Sequence, residues 1–125
     1  MVDFYFISVI VNPMVEYSYE QTLSEILKSM GDATRRSLLT RICQEGPCRV
    51  TDLAAAYDMS LNAVSKHIKV LEKCGLVTRK TAGRTHWIEA DLARIEIVEN
   101  WFKELKSIWE LRLQTFAEIM ENKDD

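Results

Sequence analysis

Asn62, Lys66, Lys69 and Lys73 recur at steps of three and four. Each residue of a helix turns about 100°, so in a helix starting near Ser60 these four share one side, while Leu61, Val64, Ile68 and Leu71 fall on nearly the opposite side. The polar side holds no acid. A row of ammonium groups neutralises phosphates, and a short amide near the start of the helix, with Ser65 beside it, can read the donor and acceptor pattern of base edges. That is the chemistry of a helix lying in the DNA major groove. A bystander surface helix would mix both signs of charge. Arg79, Lys80 and Arg84 follow within a dozen residues, and on a hairpin they would track a phosphate backbone or enter the minor groove, where negative potential favours arginine. Asn62, Ser65 and Lys66 are expected toward bases; Lys69, Lys73, Arg79 and Arg84 toward phosphates. With Ser60, Ala63 and Lys80 they form the expected DNA-binding set.

The elements that must position these residues are marked by a few breaks. Leu23, Ile26, Leu27 and Met30 lie at helical spacing and stop at Gly31. Asp32 can cap a second helix with Leu38, Leu39 and Ile42, which Gly46-Pro47 must end. Residues 50–57 are Ala-rich and helical by propensity, and Tyr57-Asp58-Met59 makes a tight turn. Ser60 is a good N-cap for the basic helix, and Gly75 supplies its left-handed stop. Residues 76–80 and 85–88 are β-prone and flank Ala82-Gly83-Arg84, a hairpin signal. Asp91 caps a long last helix whose apolar steps run Ile95, Val98, Phe102, Leu105, Trp109, Phe116 and Ile119, with Arg112 interrupting them. This order predicts a mainly α chain with a small β-hairpin wing, a winged helix-turn-helix.

Charge is divided along the chain. Residues 60–88 carry six basic side chains against the single acid Glu72; residues 90–125 carry five against nine. The net charge of −3 hides this split. At 125 residues, 47% apolar and 28% charged, the chain fits one domain rather than a multidomain enzyme. No paired carboxylates, Ser-His-Asp set or phosphate loop is visible, so no catalytic residue and no cofactor is expected.

Three cysteines do not make a disulfide framework, and the chain reads as one from a reducing compartment, expected in the cytoplasm. Residues 4–11 are apolar except for Ser8, too few for a membrane span and without a preceding Lys or Arg for a signal peptide, so no membrane partner is expected. Residues 1–18 are taken as an N-terminal extension, either an arm or the product of an upstream start, and 19–125 as the DNA-binding and dimerisation domain.

Several residues carry two readings. His67 sits at the edge of the apolar stripe and is either a partly buried structural histidine or a phosphate contact. His86 shares a strand face with Ile88, so packing is its better reading, and Trp87 points the other way. Cys43 and Cys48 bracket a loop that could form a thiol switch or hold a soft metal, set against simple packing. Arg35 and Arg36 stand at the wrong end of a helix for its dipole, so at least one should pair with an acid or a phosphate.

Gly31-Asp32-Ala33-Thr34-Arg35-Arg36-Ser37-Leu38-Leu39, Val50-Thr51-Asp52-Leu53-Ala54, the stretch Met59-Ser60-Leu61-Asn62-Ala63-Val64-Ser65-Lys66-His67-Ile68-Lys69-Val70-Leu71, Gly75-Leu76-Val77 and Gly83-Arg84 together resemble the ArsR family of bacterial winged-helix repressors. Trp101 and Trp109-Glu110-Leu111-Arg112-Leu113 look like a subgroup without metal-sensing ligands. The resemblance implies a homodimer that binds a palindromic double-stranded DNA operator and represses transcription. Arsenic sensors of the family surround the Asp-Leu pair of the third helix with cysteines; Arg49, Thr51 and Ala54 stand there. Zinc-type sensors carry Asp and His ligands on the last helix, and no His follows His86. Neither metal site is expected, and no metal should be required. Asp58 replaces the Gly common in the family's turn, which suits the tolerance of Asp for left-handed geometry.

A recognition helix alone reads few base pairs, so a two-fold dimer is expected, built from the first and last helices with Phe102, Leu105, Trp109 and Phe116 in the seam and Arg112 paired within it. A winged helix that binds only proteins is the competing class.

Overall fold

The computed structural model describes residues 13–123, with side chains for 18–122; of the expected extension at 1–18, residues 1–12 lie outside the described residues. Helix α1 (Pro13–Met30) opens on proline, whose missing N–H costs nothing in a first turn. It is one continuous helix, so the expected boundary at 18/19 falls inside it. Helix α2 (Ala33–Glu45) is capped as expected: the Arg35 N–H donates to Asp32 Oδ1 at 3.0 Å.

Among the described residues neither arginine that follows this cap has a carboxylate within 4 Å, so the acid pairing expected of them is replaced by bonds to backbone. Arg35 Nε donates to the Ser29 carbonyl at 2.7 Å and Nη2 to that of Lys28 at 3.5 Å, and Arg36 Nη1 donates to the Met30 carbonyl at 2.7 Å. The last carbonyls of a helix lack intrahelical partners and carry its negative pole. Guanidinium groups at the wrong end of α2 thus sit at the right end of α1.

After Gly46 the chain forms strand β1 (Cys48–Arg49), helix α3 (Val50–Ala55), helix α4 (Leu61–Lys73), strands β2 (Val77–Ala82) and β3 (Thr85–Ala90), and helix α5 (Ile95–Lys123). The expected hairpin is present, joined by Gly83-Arg84 with Gly83 at φ +64 as a primed turn requires. It is widened to three antiparallel strands in the order β1-β3-β2, with Cys48 opposite Ile88 and Arg49 opposite Trp87. Among the described residues every positive φ belongs to glycine, so Asp58 has a negative φ and its tolerance for left-handed geometry is not used.

The core lies where α2, α3, α4 and the sheet meet. Leu38, Ile42, Leu53, Val64, Ile68, Leu71, Leu76 and Ile88 are all buried, and α1 adds Ile26. Leu61 departs from its expected stripe: at the first position of α4 it is 47% exposed, while Val64 one turn on is fully buried. Tyr19 ties α1 to α5 by donating from Oη to the Ile97 carbonyl at 3.1 Å, and Ile95 and Val98 pack on the core. From Leu105 to Asn122 every residue of α5 is exposed, so the second half of this helix leaves the body of the domain.

Candidate nucleic-acid interface

The basic helix α4 is fixed at both ends. Ser60 Oγ accepts the Ala63 N–H at 3.1 Å, and Gly75, at φ +79, ends the helix after Lys73 and Cys74. Val64, Ile68 and Leu71 hold its inner side in the core. The opposite side therefore faces out: Asn62, Lys66, Lys69 and Lys73 are exposed, Ala63 and Ser65 half-buried, and Ser60 is exposed at the cap. Asn62, Ser65, Lys69, Glu72, Lys73 and Arg79 line one open trough. Among the described residues no carboxylate lies within 4 Å of Lys66, Lys69 or Lys73.

The wing cations differ from these lysines. Arg79 is engaged by Glu72 of α4, Nη2 to Oε1 2.8 Å, and Lys80 by Glu89 across the hairpin at 2.9 Å. Arg84, at the exposed tip, has no carboxylate within 4 Å among the described residues. The Lys80–Glu89 pair is a surface pair worth under about 1 kcal/mol, easily exchanged for a phosphate.

A second groove runs between the start of α3, the start of α4 and the wing. It is lined by Arg49, Val50, Thr51, Leu61, Ser65, Arg79, Arg84, Thr85 and His86. The sequence reading did not bring Arg49, Thr51, Leu61 or His86 to this side. The β1–β3 pairing sets Arg49 next to the wing, and a two-residue strand has no periodicity to announce it. His86 corrects an expectation: it shares the face of Ile88, but Ile88 is buried whereas His86, nearer the tip of the hairpin, is exposed with Nδ1 3.5 Å from Thr81 Oγ1. His67 is half-buried, its Nδ1 3.4 Å from Arg35 Nη1. A guanidinium can only donate, so this nitrogen is the acceptor in that contact.

Cys43 is exposed and Cys48 buried; burial, with Glu45 and Asp52 nearby, pushes the Cys48 thiol up. Arg49 Nε donates to Asp52 Oδ2 at 2.9 Å. Among the described residues no three His, Cys, Asp or Glu side chains gather where a metal ion could be held.

On α5, Phe102, Leu105, Trp109 and Phe116 are all about half exposed or more and lie along one stripe with Leu113 and Met120; Arg112 stands exposed within it. At its inner end Trp101 and Phe102 meet edge to face, with centroids 5.1 Å apart.

Residues 32–79, from the cap of α2 to Arg79, match the family model described as bacterial regulatory protein, arsR family. The crystal structure of an ArsR family transcriptional regulator is similar to this chain over 73% of its length and 93% of the other's, at 33% identity and a TM-score of 0.68. The chain belongs to the ArsR family. An HTH-type transcriptional regulator of Mycobacterium tuberculosis is 29% identical over 98 residues, 78% of this chain and 88% of its own. The arsenical resistance operon repressor of Bacillus subtilis is 29% identical over 85 residues, 62% of this chain and 79% of its own. This ArsR-family chain is a transcriptional regulator with α3 and α4 as its helix-turn-helix and β2–β3 as its wing. The ArsR match includes all of α4 and both partners of the Glu72–Arg79 pair.

Proposed function

We propose that this regulator is a homodimeric repressor that grips a palindromic operator with two copies of α4 and the wing. The observation that carries this reading is the exposed row Lys66, Lys69 and Lys73, aligned with Asn62 and with no carboxylate within 4 Å among the described residues. Asn62, Ser65 and Lys66 read bases. Lys69, Lys73 and Arg84 hold phosphates, joined by Arg79 and Lys80 when their carboxylate partners yield, while Ser60 and Ala63 bring the start of α4 close to the duplex. The working domain is 19–125, and 1–18 extend it at the N-terminus. It acts in the cytoplasm, and no helix among the described residues is long and apolar enough to cross a membrane.

Dimerisation runs through α1 and α5, with Phe102, Leu105, Trp109 and Phe116 in the seam. An apolar stripe of this size on a regulator favours a second copy as its cover. No metal of the family's arsenic or zinc type takes part. Arg49, at one of the thiol positions of arsenic sensors, is in an ion pair with Asp52, and a cation in that place opposes a metal ion.

Selection of duplexes from a random pool, followed by salt titration of the winning sequence, tests this. Each of Lys69→Ala and Lys73→Ala should weaken binding to all sequences and flatten the salt slope by about one unit. Operator affinity intact after all three α4 lysines become alanine would overturn the assignment. Wild-type binding no tighter than about 10⁻⁴ to 10⁻⁶ M, the nonspecific range, would instead favour a winged helix that contacts only proteins.

A further inference from the structure

Leu61 is the one member of its stripe that the core does not cover: Val64, Ile68 and Leu71 are 0% exposed and Leu61 47%. It follows the Ser60 cap directly, at the end of a recognition helix from which base edges are contacted. It also lies in the groove between α3, α4 and the wing, where Val50 and Thr51 provide further apolar surface and Arg84 and His86 stand on the wing side. An occupant of this groove must satisfy two demands together: negative charge toward Arg84, which has no carboxylate within 4 Å among the described residues, and an apolar projection toward Leu61. An apolar peptide meets only the second. A DNA strand meets both, because its backbone is anionic and the C5 methyl of thymine is the apolar group that base pairs display in the major groove.

We infer that Leu61 reads a thymine methyl in each operator half-site, a specificity contact that rests on the DNA-binding reading of α4. Asn62 and Ser65 supply hydrogen-bond discrimination beside it, while Leu61 discriminates by shape and desolvation. A leucine has no donor or acceptor, so the contact separates thymine from cytosine by the methyl group alone.

The test uses the wild-type protein and chemically altered operators. In the selected duplex each thymine is replaced, one at a time in both half-sites, by deoxyuridine, which removes the methyl and keeps every hydrogen-bonding group. One position should lose affinity by about fourfold per half-site, the value of burying one methyl-sized group. In Leu61→Ala the same replacement should have no effect, and Leu61→Met should restore part of the discrimination. Wild-type protein that binds every deoxyuridine operator as tightly as its parent, while Lys69→Ala and Lys73→Ala still lose affinity, overturns the role of Leu61 and leaves the DNA-binding reading standing. A methyl penalty that persists undiminished in Leu61→Ala assigns the methyl to another side chain and also overturns it. A wild type that selects no duplex sinks both readings together.

Discussion

Arg79 on β2 reaches across to Glu72 on α4, donating from Nη2 and Nε to Oε1 at 2.8 and 3.2 Å. The single acid of the basic segment is thereby used to fasten the wing to the recognition helix. Both side chains are about 30% exposed, so the pair contributes under about 1 kcal/mol to folding. Its larger effect is on DNA. Glu72→Gln should release a cation into the trough, raise affinity for duplexes in general and steepen the salt slope by about one unit. Arg79→Ala should change the slope less than Lys73→Ala, because its charge is already paired with Glu72. Anisotropy titrations at several salt concentrations compare the variants; an unchanged slope in Glu72→Gln would disprove this account.

Leu105 tests the seam. It is exposed along with Phe102 and Trp109 in the single chain, so Leu105→Glu should leave the fold of each protomer intact, with an unchanged circular dichroism spectrum. An uncompensated carboxylate in a buried seam costs about 3–5 kcal/mol, or about two to four orders of magnitude in dimer dissociation. Sedimentation velocity should then show monomers at micromolar concentration, with weak operator binding. A wild type that sediments as a monomer and still binds tightly would refute the dimer.

The legible parts of the fold were those set by local rules. Asp32 and Ser60 cap their helices, Gly75 stops α4, Gly83 turns the wing, and the apolar stripe of α4 predicts Val64, Ile68 and Leu71 in the core. What stayed hidden depends on partners distant in sequence or on backbone atoms. Arg35 and Arg36 bind carbonyls of the preceding helix, and carbonyls have no signature in a sequence. Strand β1 exists because β3 pairs with it. For the candidate site, the lysine face followed from periodicity, but the engagement of Arg79 and Lys80 by carboxylates did not, since it requires the register of the hairpin and its distance from α4. His86 and Leu61 stand outward near the ends of their own elements, which alternation alone does not encode.

Acid should weaken the α1–α2 junction. The Arg35 N–H donated to Asp32, followed by the charge of Arg35, holds the Asp32 carboxyl below its usual range. A group whose folded pKa is depressed adds stability in full above its unfolded value, about 3.9, and loses it as pH falls through the folded value. Asp32→Ala should therefore melt below wild type at neutral pH, and the gap should narrow as pH drops from about 4 toward 2. Thermal melts across this range decide it; a gap that widens in acid would contradict the assignment.

Gly75 combines two constraints that Gly46 separates. Both sit at φ +79, and Gly46, at ψ −163, lies in a region essentially restricted to glycine, where a Cβ costs about 1–3 kcal/mol. A Cβ on Gly46 meets nothing within 4 Å, whereas on Gly75 it would lie 2.7–2.9 Å from the Arg94 side chain, whose Nη1 donates to the Cys74 carbonyl at 3.3 Å. Gly75→Ala should accordingly lose stability in urea through both backbone and crowding, and adding Arg94→Ala should recover the crowding part. A double variant no more stable than the sum of the two single losses would show that Arg94 yields freely.

Arg35 joins three helices at once: it opens α2, bonds the final carbonyls of α1 and meets His67 on α4. With one guanidinium at this crossing, α1 cannot swing relative to α4 without breaking contacts on both sides. Removal of this one side chain would therefore loosen the seating of α4 from two helices at once.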